Sequence, residues 1–248
     1  MPEDLAAAIE FGPQQKVTLD AELWQVLTAG DTARMEVILS RQDHGAYNDR
    51  QQTDGQVAIN VHGAAPGCFL LGVASNGNTA LHLAASRGHA ELAALLCERA
   101  PSLAATRNRC LDTPLHCAAK AGHRDVAAIL LSTMRAGGAE EESALRARNQ
   151  AGASALYEAV RHDHAGVVDL LMAEVPDLAS VVATEDGISP LYLAMIAGSA
   201  QMVQAMLRPS QNGTTSPASF SGPKGRTALH GAATFSKGTP ITSFWLEF

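Results

Sequence analysis

Four groups of residues have the types and spacing of chemical sites. Gly72-Val-Ala-Ser-Asn-Gly-Asn-Thr79 has the glycine spacing of a phosphate-binding loop and ends on the required hydroxyl. Asn78, however, stands where a lysine must reach the phosphates, and no strand-like apolar run leads in, so the segment reads as a turn before a capped helix. His123-Arg-Asp125 has three letters of a kinase catalytic loop, but the following asparagine, a glycine-rich loop and an Asp-Phe-Gly are all missing. His82, His116 and His230 each stand three residues after a threonine, and Tyr157 and Tyr192 stand three after a serine. A zinc site does not accept that exchange, whereas a ring that packs and hydrogen-bonds beside the hydroxyl does. Cys97, Cys110 and Cys117 lack metal-type spacing. Cys97 and Cys117 read as small core residues, and Cys110 as an accessible thiol. No nucleophile, base and acid fall into a set. The chain is therefore expected to be no enzyme and to hold no metal or cofactor.

Composition narrows the remaining classes. With 46% apolar and only 4% aromatic residues, a core must be built from Ala, Leu, Val, Ile and Met. A net charge of −7 argues against a nucleic-acid partner. The N-terminal Met-Pro-Glu-Asp carries acid where a secretory signal needs positive charge. No apolar run is long enough to insert in a membrane. Four cysteines without a regular framework suggest a reducing compartment. These features together predict a cytoplasmic protein.

The elements that must position the histidines repeat. Thr-Ala-Leu-His-Leu-Ala-Ala at 79–85 returns as Thr-Pro-Leu-His-Cys-Ala-Ala at 113–119, then from Ser154, Ser189 and Thr227. Leu81, Leu115, Leu156, Leu191 and Leu229 mark the five copies, and their spacing is that of stacked helical repeats. In each copy the Thr or Ser caps a first helix, and Pro114 and Pro190 occupy a first helical position. Gly88, Gly122 and Gly198 end that helix, with Asp163 in the equivalent place of the third copy. Second helices follow with one apolar face: Leu92, Leu95 and Leu96; Val126, Ile129 and Leu130; Val167, Leu170 and Leu171. The wider second spacing, Leu115 to Leu156, comes from a polar insertion, Arg135 to Ser143, which reads as a surface loop.

The phrase Thr-Pro-Leu-His-x-Ala-Ala-x-x-Gly-His, followed by an apolar helix, resembles the ankyrin repeat. The resemblance implies an all-α solenoid of stacked helix-turn-helix units with short hairpin-like links. Residues 73–237 form about five repeats, the last incomplete. Residues 20–40 read as a degenerate N-terminal repeat, 41–72 as a flexible loop, and 1–19 and 238–248 as tails. The finer phrasing of residues 70–96 and 108–131 is similar to plant ankyrin proteins of the accelerated-cell-death type, particularly those of grasses. That family carries membrane helices after its repeats and is associated with defence and cell-death signalling. This chain departs from its pattern after Lys237.

Function in such a stack falls on positions the repeat leaves free. These are the link tips, with Asn76, Asn78, Arg109, Asp112, Glu185 and Asp186, and the exposed side of the first helices, with Arg87, Lys120, Arg161 and His162. Arg87, Arg109, Lys120 and Arg161 place positive charge on one face of an acidic protein, which suits an acidic protein partner. The expected function is a non-catalytic protein-interaction module in plant defence or cell-death signalling. The second reading is a truncated or alternatively spliced fragment of a membrane-anchored ankyrin protein, with little independent function.

Overall fold

The computed structural model describes residues 21–48, 74, 76–182, 187–208 and 218–235. Its helices come in pairs. They are α1 (Ala21–Ala29) with α2 (Thr32–Asn48), α3 (Ala80–Arg87) with α4 (Ala90–Arg99), and α5 (Pro114–Ala121) with α6 (Arg124–Ala136). After α7 (Ala139–Leu145) come α8 (Ala155–Arg161) with α9 (Ala165–Glu174), and α10 (Pro190–Ala197) with α11 (Ala200–Leu207). A lone α12 (Ala228–Phe235) is the last described element. The first helices pack in the row α1, α3, α5, α8, α10, α12, and the second helices in the row α2, α4, α6, α9, α11. Among the described residues there is no strand, only an isolated bridge between Ser221 and Thr227.

Each first helix starts and stops for local reasons. Thr79 and Thr113 close capping boxes with the histidine three residues on, and Ser154 and Ser189 accept the backbone N–H of Tyr157 and Tyr192. Gly88, Gly122 and Gly198 end their helices at φ of 79°, 79° and 75°. Asp163 takes the same left-handed conformation at φ 61°, which a short polar side chain tolerates. Alanines pave the joints: Ala84, Ala85, Ala118, Ala119, Ala159 and Ala194 are all fully buried, so neighbouring helices approach closely. Leu81, Leu115, Leu156 and Leu191 are buried to within 1%. Each contributes about 2 kcal/mol by leaving water. Pro101 and Pro176 follow the ends of α4 and α9 and each opens a short 3₁₀ turn, Pro101–Ala105 and Pro176–Ser180.

Two features differ from the sequence expectation. The insertion read as a loop is largely helical, because α6 runs to Ala136 and α7 covers Ala139–Leu145. Ala, Glu and Leu are strong helix formers, and Ala144 and Leu145 are buried, which anchors α7. The N-terminal repeat also continues past residue 40, with α2 extending to Asn48. The remainder of the expected loop and both expected tails lie outside the described residues. No described helix is long and apolar enough to cross a membrane.

Candidate functional site

The repeat histidines are structural joints. His82 Nδ1 accepts from the Thr79 hydroxyl at 2.8 Å and its backbone N–H at 3.2 Å, while Nε2–H donates to the Asp112 carbonyl at 2.9 Å. His116 repeats this with Thr113 and the Ala153 carbonyl at 3.1 Å. One neutral ring thus ties a helix cap to the next link. Burial opposes the charged form and lowers the His82 pKa to about 4, with the Asp112 carbonyl bond working the other way. His116 is shifted in the same direction, again chiefly by burial. His89, His123 and His164 make a second set of joints, each opening a second helix over the glycine that ends the preceding repeat's first helix. Their rings lie so close to Gly30, Gly88 and Gly122 that an added Cβ would stand 2.5 Å from a ring nitrogen. His89 Nε2–H reaches the Thr28 carbonyl at 3.4 Å and His164 the Lys120 carbonyl at 3.0 Å.

The links are held by asparagines that sequence reading passed over. Asn108 Oδ1 accepts the N–H of Cys110 and Asp112, both at 2.9 Å, and Asn149 Oδ1 accepts those of Ala151 and Ala153, both at 3.0 Å. Their amide groups then reach the neighbouring link. Asn108 Nδ2 donates to Asn78 Oδ1 at 2.7 Å, and Asn149 Nδ2 to Asp112 Oδ1 at 2.9 Å and Glu158 Oε1 at 2.7 Å. Backbone bonds join the same links, from Arg109 to Asn76 at 3.1 Å and from Gln150 to Cys110 at 2.8 Å. The available signal was an asparagine five residues before the capping hydroxyl in two adjacent copies.

This frame separates the expected binding residues into two sets. Asn76 accepts the Asn78 N–H within its own turn, and Asn78 belongs to the asparagine ladder. Asp112 is buried, and Lys120 is half-buried with its ammonium 2.7 Å from Asp112 and 3.7 Å from Glu158. Burial works against that ammonium, but the bond to Asp112 and the charges of Asp112 and Glu158 outweigh it and raise its pKa. Lys120 is thus neutralised inside the stack and adds no free charge to the face. Arg87, Arg109, Arg161 and His162 are exposed, and among the described residues none of the three arginines has an ion-pair partner. Glu185 and Asp186 lie outside the described residues. By contrast, three arginines towards the second-helix side are paired across repeats, Arg135 with Glu174, Arg146 with Asp177 at 2.7 Å and Arg208 with Asp169 at 3.8 Å, while Arg124 meets only its neighbour Asp125 at 3.9 Å.

One further residue stands out at a link tip. Leu111 has φ 58° and is 43% exposed, where Gly77, Gly152 and Gly187 occupy the equivalent turn position. A left-handed leucine costs about 1 kcal/mol and here gains no burial in return. Its signal was a leucine breaking a column of glycines. Cys97 is buried, Cys117 half-buried and Cys110 exposed; burial pushes the Cys117 thiol up to about 12. Among the described residues no three His, Cys, Asp or Glu are grouped to hold a metal ion.

A family model described as ankyrin repeats (3 copies) matches residues 56–140 and again 107–180, together half of the chain. The chain belongs to the ankyrin-repeat family. The crystal structure of the ankyrin repeat domain of Bcl-3, a member of the IkappaB protein family, shares this fold. Its TM-score is 0.65 at 24% identity, over 87% of this chain and 80% of that one. No curated protein matches the sequence. An ankyrin stack is a scaffold for binding other proteins, and its repeat-defining residues are occupied in building it.

Proposed function

We propose that this ankyrin stack binds an acidic segment of another protein across its link tips and first-helix face. The observation that carries the reading is the contrast in arginines. Arg87, Arg109 and Arg161 stand exposed and, among the described residues, without an ion pair, in a protein whose net charge is −7. Cationic groups of this kind attract an acidic partner and speed its encounter. Leu111 supplies an apolar contact at the tip beside Arg109, in a strained conformation that folding alone does not favour. The finer phrasing of residues 70–96 and 108–131 supports a role in plant defence or cell-death signalling, and cysteines without a disulfide framework support a cytoplasmic location.

The test compares immobilised wild-type protein with the Arg87→Glu, Arg109→Glu, Arg161→Glu variant, using plant cytosol at low salt. Acidic proteins retained by the wild type should be lost from the variant, and the difference should shrink as salt rises. Leu111→Gly should bind the same proteins less well while folding at least as stably. Equal retention by the charge-reversed and wild-type proteins at low salt would remove the basis of the proposal.

A further inference from the structure

Glu158 occupies the α8 position filled by Leu83 in α3, Cys117 in α5 and Leu193 in α10. It is 2% exposed, yet it carries a carboxylate. Oε1 accepts from Asn149 Nδ2 at 2.7 Å and lies 3.7 Å from the Lys120 ammonium. Oε2 is buried without any hydrogen bond. It faces the ring of His162, whose Nε2 is 3.7 Å away, beyond hydrogen-bond reach. That ring is 45% exposed and is held by no hydrogen bond, only by a loose stack on His164 with centroids 6.3 Å apart. An acceptor one movable ring below the surface, with no donor of its own, is costly to keep.

The charges around it are also unbalanced. Asp112 and Glu158 bring two negative charges and Lys120 brings one positive, leaving one negative unmatched on this face. Asp169 provides the internal comparison. Its Oδ1 is likewise buried without a hydrogen bond, but there the Arg208 guanidinium stands 3.8 Å away and Gln201 donates to Oδ2 at 3.1 Å. At Glu158 no arginine of the described residues forms an ion pair. The chain supplies a histidine, which is charged only when protonated.

We infer that Glu158 is the acceptor for one arginine side chain of the protein partner, whose guanidinium enters by displacing the His162 ring. A guanidinium offers planar, permanently charged N–H donors suited to an oxygen lying beside an already bonded one. The inference rests on the binding face proposed above but on a different group within it. The partner segment is then acidic, to meet Arg87, Arg109 and Arg161, with a single base embedded opposite α8.

The test uses the full chain and N-acetyl-arginine methylamide, with the citrulline analogue as an uncharged control of the same shape. Carbon-13 resonances of the Glu158 carboxyl and the His162 ring report the site. The arginine compound should shift both saturably, and the citrulline compound should bind roughly tenfold more weakly. Glu158→Gln, which keeps an oxygen for Asn149, should abolish the effect, whereas His162→Ala should uncover Oε2 and tighten binding severalfold. No saturable change at the Glu158 carboxyl, or an equal response to citrulline, would overturn the inference. So would unchanged binding in His162→Ala. None of these outcomes depends on the arginine-reversal experiment, so either proposal can fail alone.

Discussion

The front and back of the stack are joined differently. From α1 to α8, the glycine ending each first helix lies under an imidazole from the next repeat, as in the pairs Gly30/His89, Gly88/His123 and Gly122/His164. Buried histidines, His82 and His116, bind each cap to the next link. From α8 onward the joint changes. Asp163 replaces the glycine, Tyr157 and Tyr192 replace the bridging histidines, and an added Cβ at Gly198 would meet no other element of the described residues within 4 Å. The Tyr192 ring instead fills space that Gly222 and Gly231 leave open, with an added Cβ at Gly222 only 2.4 Å from it. Leu229, whose four counterparts are buried, is 54% exposed. One repeat pattern therefore builds joints of unequal strength and unequal chemistry.

The largest expected difference is in acid. The His82 pKa is about 4 when folded and about 6.5 when unfolded. Between those values the unfolded chain binds a proton that the folded chain does not. The stability at stake is therefore complete above pH 6.5 and lost as pH falls towards 4, about 3 kcal/mol for this group. His116 acts in the same direction. Hydrogen exchange followed from about pH 7 downward should show α3 and α5 opening before α10, which has tyrosine at this position. Simultaneous loss of protection in α5 and α10 would break the distinction.

A smaller difference should appear between two glycines of the same conformation. Gly122→Ala adds left-handed strain and forces His164 from its place, with its bond to the Lys120 carbonyl, for a total of about 3 kcal/mol. Gly198→Ala adds only the strain, about 1 kcal/mol. Urea unfolding of the two variants measures both. Equal losses would mean that the imidazole contact contributes nothing.

The smallest effect concerns a pair. Ser199 opens α11 where His89, His123 and His164 open their helices, and the residue beneath it in register is Asp163 in place of glycine. Ser199→His alone should cost about 1 kcal/mol, because a ring now meets a side chain. Added to Asp163→Gly, it should cost nothing. A double-mutant cycle read by thermal melting checks this, and simple additivity would show the two positions to be independent.

The parts of the fold legible in the sequence were those decided within a few residues. A threonine, a leucine and a histidine at fixed spacing are enough to specify a capped helix, and a glycine nine residues after the threonine is enough to end it. The second helices were equally plain from their apolar faces. What escaped reading depends on partners from other repeats. Lys120 looks free along the sequence, but Asp112 and Glu158 neutralise it from the preceding link and the next repeat. Glu158 itself reads as an ordinary surface acid until α8 is docked. The helix α7 was missed because Gly137 and Gly138 lead into it, although its own residues favour helix.

The imidazole over each glycine has a consequence for how such an array can be rearranged. Each joint is written by two residues in different repeats, one ending a first helix and the other opening the second helix of the following repeat. Repeats whose first helices end in Gly30, Gly88 and Gly122 are followed by repeats whose second helices open with His89, His123 and His164, and the repeat whose first helix ends in Asp163 is followed by one whose second helix opens with Ser199. The units are therefore not interchangeable bricks. Duplicating the stretch from His89 to Gly122 would create a matching seam, whereas a histidine-led second helix in the repeat that follows the one with Asp163 would not. Recombination that lengthens this chain has to respect that two-letter grammar, and a designer wishing to extend it should insert between α3 and α5, where both letters already agree.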